Sequence, residues 1–230
     1  MRQTTLIFVE GLPGSGKSTT GRYLLARLQQ AQVDAHLIAE VEPDHPLNVG
    51  GDLHPAGAVT GDELFRRYTV EDYIAESQDR WRAFVARVSG TATVHILDSY
   101  PFQNAARVLL QLDGSTEVLA AYAAEVQAVT RPLAPVLMYL QSSASPEALE
   151  AITHVRGEAW TAYAIQVMTN CPYARRRQLT GASGAMAMLS AYNALLRQLL
   201  ATSAVPRLEL DGCSSDWQRC YGRIEEFLAL

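Results

Sequence analysis

A three-layer α/β fold, with a central five-stranded parallel sheet flanked by helices, is the class this sequence predicts. Three observations carry it. Short β-branched or apolar runs alternate with segments of helical period along the chain; the first run passes directly into Gly11-Leu12-Pro13-Gly14-Ser15-Gly16-Lys17-Ser18; and acidic or turn-forming residues gather where the runs end. Strands separated by helices imply parallel pairing through right-handed crossovers, and in such open sheets ligands bind at the carboxyl ends of the strands.

Each element has its own warrant. Thr4 to Glu10 is a first strand, rich in β-branched and aromatic residues, and Thr19 to Gln30 places Leu24, Leu25, Leu28 and Ala31 at helical spacing. Ala35 to Ala39 is a second strand that runs into a loop holding Glu40, Glu42, Pro43, Asp44, His45 and Pro46. From Asp62 to Val88 the residues Leu64, Phe65, Tyr68, Ile74, Trp81, Phe84, Val85 and Val88 share a helical face, in two pieces broken near Thr69. Trp81 and Phe84 are expected in the core. Thr93 to Leu97 is a third strand ending in Asp98, and a helix marked by Val118, Leu119, Tyr122, Val126 and Val129 follows. Pro135 opens a fourth strand, Val136 to Leu140, and Ser145-Pro146-Glu147 is an N-cap and first turn. Met186 to Leu200 is a helix, Arg207 to Leu210 a fifth strand, and Asp216 to Leu228 a closing amphipathic helix with Trp217, Tyr221, Ile224 and Leu228 on one face.

The octet from Gly11 to Ser18 fits G-x-x-x-x-G-K-[ST] at every fixed position. Glycines let the chain wrap so that successive backbone N–H groups face a phosphate, and the following helix adds its positive dipole end. Gly11, Pro13, Gly14, Ser15, Gly16, Lys17, Ser18 and Thr19 are therefore the expected nucleotide-binding residues, with Lys17 on the β- and γ-phosphates and the Ser18 hydroxyl on Mg²⁺. The fold expected is that of the P-loop NTPases, and ATP with Mg²⁺ is the expected cofactor pair.

Composition narrows the partners. The 230 residues are 48% hydrophobic and 19% charged, enough for one full core, and residues 1–230 are expected to form a single domain. A net charge of -5 offers no general basic surface for nucleic acid. A small-molecule acceptor is the expected partner; a homodimer is left open. Cys171, Cys213 and Cys220 are odd in number and lack CxxC spacing, which argues against a disulfide framework or a zinc site. The first strand begins almost at Met1 and no apolar run approaches a membrane span, so a cytoplasmic protein without signal peptide or membrane contact is expected.

The segment from Phe8 to Thr19 resembles the opening of P-loop nucleoside and nucleotide kinases, thymidylate kinases in particular. Glu42-Pro43 stands where that family has Arg-Glu-Pro after the second strand, and Asp98-Ser99-Tyr100 where it has Asp-Arg-Tyr after the third. Pro135 to Ile152 is similar to its fourth strand and following helix, and Leu208 to Phe227 to its terminal strand, Asp-Gly loop and last helix. The resemblance implies an ATP-dependent phosphotransferase with a lid, placed here within 153–182. Two departures bear on the acceptor: Val41 and Ser99 occupy positions where the family carries arginines. A dianionic phosphate in a partly dry cleft needs charge-assisted partners, so their loss points to a neutral alcohol rather than a nucleoside monophosphate.

Phosphoryl transfer needs a metal–phosphate clamp, an aligned nucleophile and cations on the transferring oxygens. Asp98 is the candidate to hold Mg²⁺ with Ser18 or to take the acceptor's proton, and Glu40 and Glu42 are the alternative bases or ligands of acceptor hydroxyls. Glu10 is placed either as support for the metal or as a partner for loop amides. Arg156 is favoured as the lid cation, ahead of Arg175 to Arg177, a run that also suits a solvated helix face. Gln103 and Asn104 are the amides hardest to explain by packing and are assigned to the acceptor, while Gly212 and Cys213 are assigned to the base edge through their backbone. The competing expectation is a P-loop ATPase or nucleotide-dependent regulator of a protein partner; a kinase needs a second pocket at 40–45 and 98–104, a switch an exposed partner surface.

Overall fold

The computed structural model describes residues 4–40, 42, 45–50, 61–142, 153, 154 and 156–230. Its element order is β1 (Leu6–Gly11), α1 (Lys17–Gln30), β2 (Ala35–Ile38), α2 (Gly61–Arg67), α3 (Val70–Val88), β3 (Val94–Asp98), a π-helical turn (Phe102–Ala106), α4 (Arg107–Gln111), α5 (Thr116–Thr130), β4 (Val136–Leu140), α6 (Glu158–Thr169), α7 (Pro172–Arg176), α8 (Gly181–Thr202), β5 (Arg207–Leu210) and α9 (Trp217–Leu228). The five strands form one parallel sheet in the order β2-β3-β1-β4-β5. Central β1 lies between β3, where Val9 pairs with Asp98, and β4, where Gly11 pairs with Leu140. The carboxyl ends of three strands thus meet at the glycine loop.

Every residue of β1 and β4 is buried, as expected for strands covered on both faces. Alternation divides them between two cores. Ile7, Val9, Ile96 and Met138 pack with Leu24 and Leu28 of α1 and Cys220 and Ile224 of α9. Leu6, Phe8, Leu97 and Tyr139 face the other way, against Trp81 and Phe84 of α3, Leu119 and Tyr122 of α5 and Tyr192 and Leu196 of α8. Trp81 and Phe84 are core residues, in edge-to-face contact with each other.

Helix boundaries follow local chemistry. The break near Thr69 is a capping box: the Thr69 side chain accepts from the Asp72 amide while Asp72 accepts from Thr69. Ser115 caps α5 through the Val118 amide, and Asp216 caps α9 through the Arg219 amide. The expectation that the cysteines form no disulfide is corrected. Cys213 in the loop after β5 and Cys220 in α9 are bonded, with Cα atoms 5.7 Å apart. Their separation of seven residues spans a tight loop and the first turn of α9, which folds back over that loop and brings the two together; Cys171 is free and buried. The π-helical turn, α4, α6 and α7 were not foreseen. In α6 only Ala164 is buried, so its sequence carries little periodic signal. The proposed cap at Ser145-Pro146-Glu147 lies outside the described residues, as do Val41, Pro43 and Asp44. Among the described residues no helix is long and apolar enough to cross a membrane.

Candidate active site

The glycine loop joins β1 to α1 with Gly11, Gly14 and Gly16 all at positive φ, of 153°, 80° and 96°. Two of these positions admit no side chain. A Cβ on Gly11 would overlap Ser15 Oγ and the Leu140 carbonyl, and one on Gly16 would overlap the six-membered ring of Trp217. The Ser15 amide donates to the Leu12 carbonyl at 3.1 Å, closing the turn, and the Thr20 amide donates to Gly16 as the first helical bond. Ser18 and Thr19 are exposed in the first turn of α1, whereas Lys17, the only lysine of the chain, is 5% exposed. Its ammonium donates to the Leu12 carbonyl at 3.0 Å. Burial lowers its pKa, against the raising pull of Glu40, Asp98 and Glu10; Arg156 lowers it further.

A chain of polar contacts leads from this loop across the carboxyl ends of β3 and β2. The Ser18 hydroxyl donates to Asp98 Oδ2 at 2.7 Å. Ser99 Oγ lies 2.9 Å from Asp98 Oδ1 and 3.1 Å from Glu40 Oε2, and the Gln103 amide nitrogen donates to Glu40 Oε1 at 3.0 Å. Burial raises the Asp98 pKa and Glu40 adds to the rise, while Ser18, Lys17 and Ser99 oppose it. Ser99 holds this bridge with φ at 72°, a left-handed conformation that costs a serine energy and is tolerated only where the surroundings fix it.

Glu10 is fully buried at the end of β1 and takes the amides of Phe102 and Gln103, at 2.7 and 3.1 Å. Of the two roles expected for it, the observed bonds are of the amide kind, though to the π-helical turn and not to the glycine loop. Burial pushes its pKa up to about 8 against the lowering effect of those amides and Lys17. The carboxylate thus pins the segment that carries Gln103 and Asn104. Asn104 is buried and its side chain bonds Tyr100; the Tyr100 hydroxyl donates to Asn48, and its ring stacks on His45 with centroids 4.3 Å apart.

Other candidates lie elsewhere. Glu42 turns back to accept the Ala39 amide at 3.2 Å, closing the turn after β2. Arg156 is exposed and stacks over Trp160, within electrostatic reach of Lys17. Arg176 and Arg177 both pair with Asp113, at 2.9 and 2.6 Å. Gly212 lies in an exposed turn whose carbonyl accepts from the Ser215 amide and hydroxyl. Three participants escaped sequence reasoning: Ser99 as a bridge, Trp217 against Gly16, and Tyr192, buried within electrostatic reach of Glu10 and Glu40. Only Trp217 left a signal, as the one aromatic residue at the start of a helix beside the expected base-edge loop.

The donors fit Mg²⁺. Ser18 and Asp98 offer hard oxygens at the end of the glycine loop, and a magnesium ion takes one or two protein oxygens and leaves the rest of its shell to phosphates and water.

No family model matches the sequence, and none of the curated proteins matches it. The chain is similar in structure to thymidylate kinase from Candida albicans, with a TM-score of 0.52 over 97% of this chain and 92% of that one, at 16% sequence identity. A parallel sheet in the order β2-β3-β1-β4-β5, opened by a glycine loop and covered on both faces, is thus the P-loop nucleotide kinase fold, of the thymidylate-kinase-like kind.

Proposed function

We propose that this protein is an ATP-dependent phosphotransferase that moves the γ-phosphate of Mg-ATP to a hydroxyl of a small molecule lacking a phosphate. The observation that supports it is the continuous contact from Ser18 through Asp98 and Ser99 to Glu40 and Gln103, which joins a phosphate-binding loop to a second polar cluster. A nucleotide-driven switch has no need of such a cluster.

In this reading Gly11, Pro13, Gly14, Ser15, Gly16, Lys17, Ser18 and Thr19 hold the triphosphate through backbone amides and the Lys17 ammonium, and Gly212 borders the base. Lys17 leaves the Leu12 carbonyl for the β- and γ-oxygens, recovering the charge partners its burial requires. Ser18 and Asp98 hold Mg²⁺, which when bound neutralises charge on the transferring phosphoryl group. Asp98 takes the proton of the acceptor hydroxyl, and Glu40, bridged to it by Ser99, binds the acceptor and is the alternative base. Gln103 and Asn104 bind the acceptor, and Glu42 supports the loop after β2. Residues 153–182 act as the lid that brings Arg156 onto the phosphates and excludes water.

The test is transfer of labelled γ-phosphate from Mg-ATP to a panel of sugars, nucleosides, amino alcohols and thymidine monophosphate. Wild type is expected to label a phosphate-free acceptor and Lys17→Ala to label none. Asp98→Asn is expected to fall by about 10²–10⁴ in kcat. Labelling of thymidine monophosphate above every alcohol would overturn the acceptor assignment; release of phosphate without a labelled acceptor would favour the ATPase reading.

A further inference from the structure

The acceptor side of the cleft is short of cations. Between Arg27 and Arg66 the chain has neither lysine nor arginine, and the same holds between Arg87 and Arg107. These two stretches contain the whole loop after β2 and the whole segment from β3 through the π-helical turn. They contribute Glu40 and Asp98 to the site, and Glu10 stands behind them. Arg107 at the far end of the turn bonds the Gln103 carbonyl and Gln111 Oε1 and lies within electrostatic reach of Tyr100 and Tyr192, whereas Glu40 is bonded by other side chains. Glu40 accepts hydrogen bonds from a serine hydroxyl and a primary amide, both neutral, and the cation within its electrostatic reach is the Lys17 ammonium, which the kinase reading gives to the phosphates.

Carboxylates alone would not define a ligand. The neighbouring polar groups do. Gln103 is 5% exposed, and while its nitrogen is given to Glu40, its Oε1 has no partner. Because one planar amide carries both atoms, that open acceptor lies beside the Glu40 carboxylate. Tyr192, 1% exposed, has an unpartnered hydroxyl within the electrostatic reach of Glu10 and Glu40. Asn48, 6% exposed, has an unpartnered amide nitrogen beside the Tyr100 hydroxyl. Buried polar atoms left open cost stability unless a ligand satisfies them. A carboxylate beside an open amide oxygen matches an ammonium, whereas the phenol and the amide nitrogen match hydroxyls.

We infer that the acceptor is a hydroxylated amine, an amino sugar or amino alcohol, whose ammonium is held by Glu40 and Gln103 Oε1 while a hydroxyl elsewhere on the molecule receives the phosphoryl group. The inference rests on the kinase reading above. The hydroxyl oxygen forms a bond to the γ-phosphorus, the bond from that phosphorus to the β,γ-bridging oxygen breaks, the hydroxyl proton passes to Asp98, and a nucleoside diphosphate leaves. The ammonium does not react; it supplies the counter-charge that arginine supplies to a phosphate.

Paired probes that differ in one group test it. Glucosamine against glucose, and scyllo-inosamine against scyllo-inositol, are titrated calorimetrically into the full chain with Mg²⁺ and a non-hydrolysable ATP analogue, with thymidine monophosphate alongside. The amine of each pair is expected to bind at least about tenfold more tightly. That preference is expected to disappear in Glu40→Gln, to weaken several-fold in Gln103→Leu, and to shrink as salt rises. Equal affinity within the pairs, tighter binding of thymidine monophosphate, or no binding of any amine would each overturn the inference. Failure of the kinase reading itself is separable through the single lysine. An acyl-phosphate derivative of ATP should acylate Lys17 and no other side-chain amine, and Mg-ATP should protect it. Protection without amine preference sinks the acceptor class alone, whereas absence of labelling sinks the nucleotide site.

Discussion

Glu10 concentrates two demands on one side chain. It must sit inside the sheet to hold the amides of Phe102 and Gln103, and that burial pushes its pKa up to about 8 from 4.5. The folded state therefore binds more protons than the unfolded one across that interval. Glu10's contribution is complete below about pH 4.5 and is lost as pH rises through about 8, with a slope of up to ~1.4 kcal/mol per pH unit. Glu10→Gln is expected to lower stability near neutrality by about 1 kcal/mol, through loss of one amide bond, and to remove this slope. Urea denaturation at several pH values checks both, and an unchanged slope would refute the assignment. Ser99 can be treated the same way. Ser99→Gly relieves the left-handed strain and is expected to change stability by less than about 1 kcal/mol while weakening acceptor turnover, because Glu40 and Asp98 lose their shared hydroxyl.

At the scale of elements, what was legible depended on whether the local sequence carried its own instruction. β4 and β5 are found at the limits expected, Val136–Leu140 and Arg207–Leu210, because apolar runs bounded by proline or Asp-Gly leave little choice. The break at Thr69 was legible as well, since Thr69 and Asp72 form a capping box that stops one helix and starts another. Thr69→Ala is expected to cost about 1 kcal/mol and to fray α3, a change measurable by hydrogen exchange at Glu71 to Tyr73. The π-helical turn at Phe102–Ala106 was not legible. Its amides are held by Glu10, distant in sequence, so no reading of 102–106 alone could locate them. The candidate site divides in the same way. The glycine loop, Asp98, Glu40 and Gln103 could be named from motif and strand ends, whereas the Ser99 bridge and Tyr192 required the fold.

For the molecule as a whole, two cores share one sheet, and their edges are secured differently. The face under α3, α5 and α8 is closed by aromatic and aliphatic packing. The face under α1 and α9 is narrower and is tied by the Cys213–Cys220 bond, by Arg27 to Glu225 at 2.7 Å, and by the stack of Tyr23 on Tyr221 at 3.7 Å. Replacing both cysteines by serine is expected to lower unfolding free energy by roughly 2–3 kcal/mol, since even a short closed loop restricts the unfolded chain. Chemical denaturation with and without a dithiol reductant measures this, and identical curves for wild type in the two conditions would show that the bond contributes nothing to stability. The cysteine count alone could not reveal the pair, because nothing in 213–220 announces that α9 folds back over its own loop.

The contact between Trp217 and Gly16 places an indole against the phosphate loop. Of the three tryptophans, Trp81 is sealed in the core at 1% exposure and supplies a steady background, and Trp160 lies under the Arg156 guanidinium. The molecule therefore carries two further intrinsic fluorophores, one against the phosphate loop and one beneath an arginine within electrostatic reach of Lys17. A shift in emission on adding nucleotide to Trp160→Phe reports the loop, and one in Trp217→Phe reports the arginine's departure from its ring as the lid closes, so filling of the loop and closure of the lid can be watched separately in a stopped-flow trace without attaching a dye.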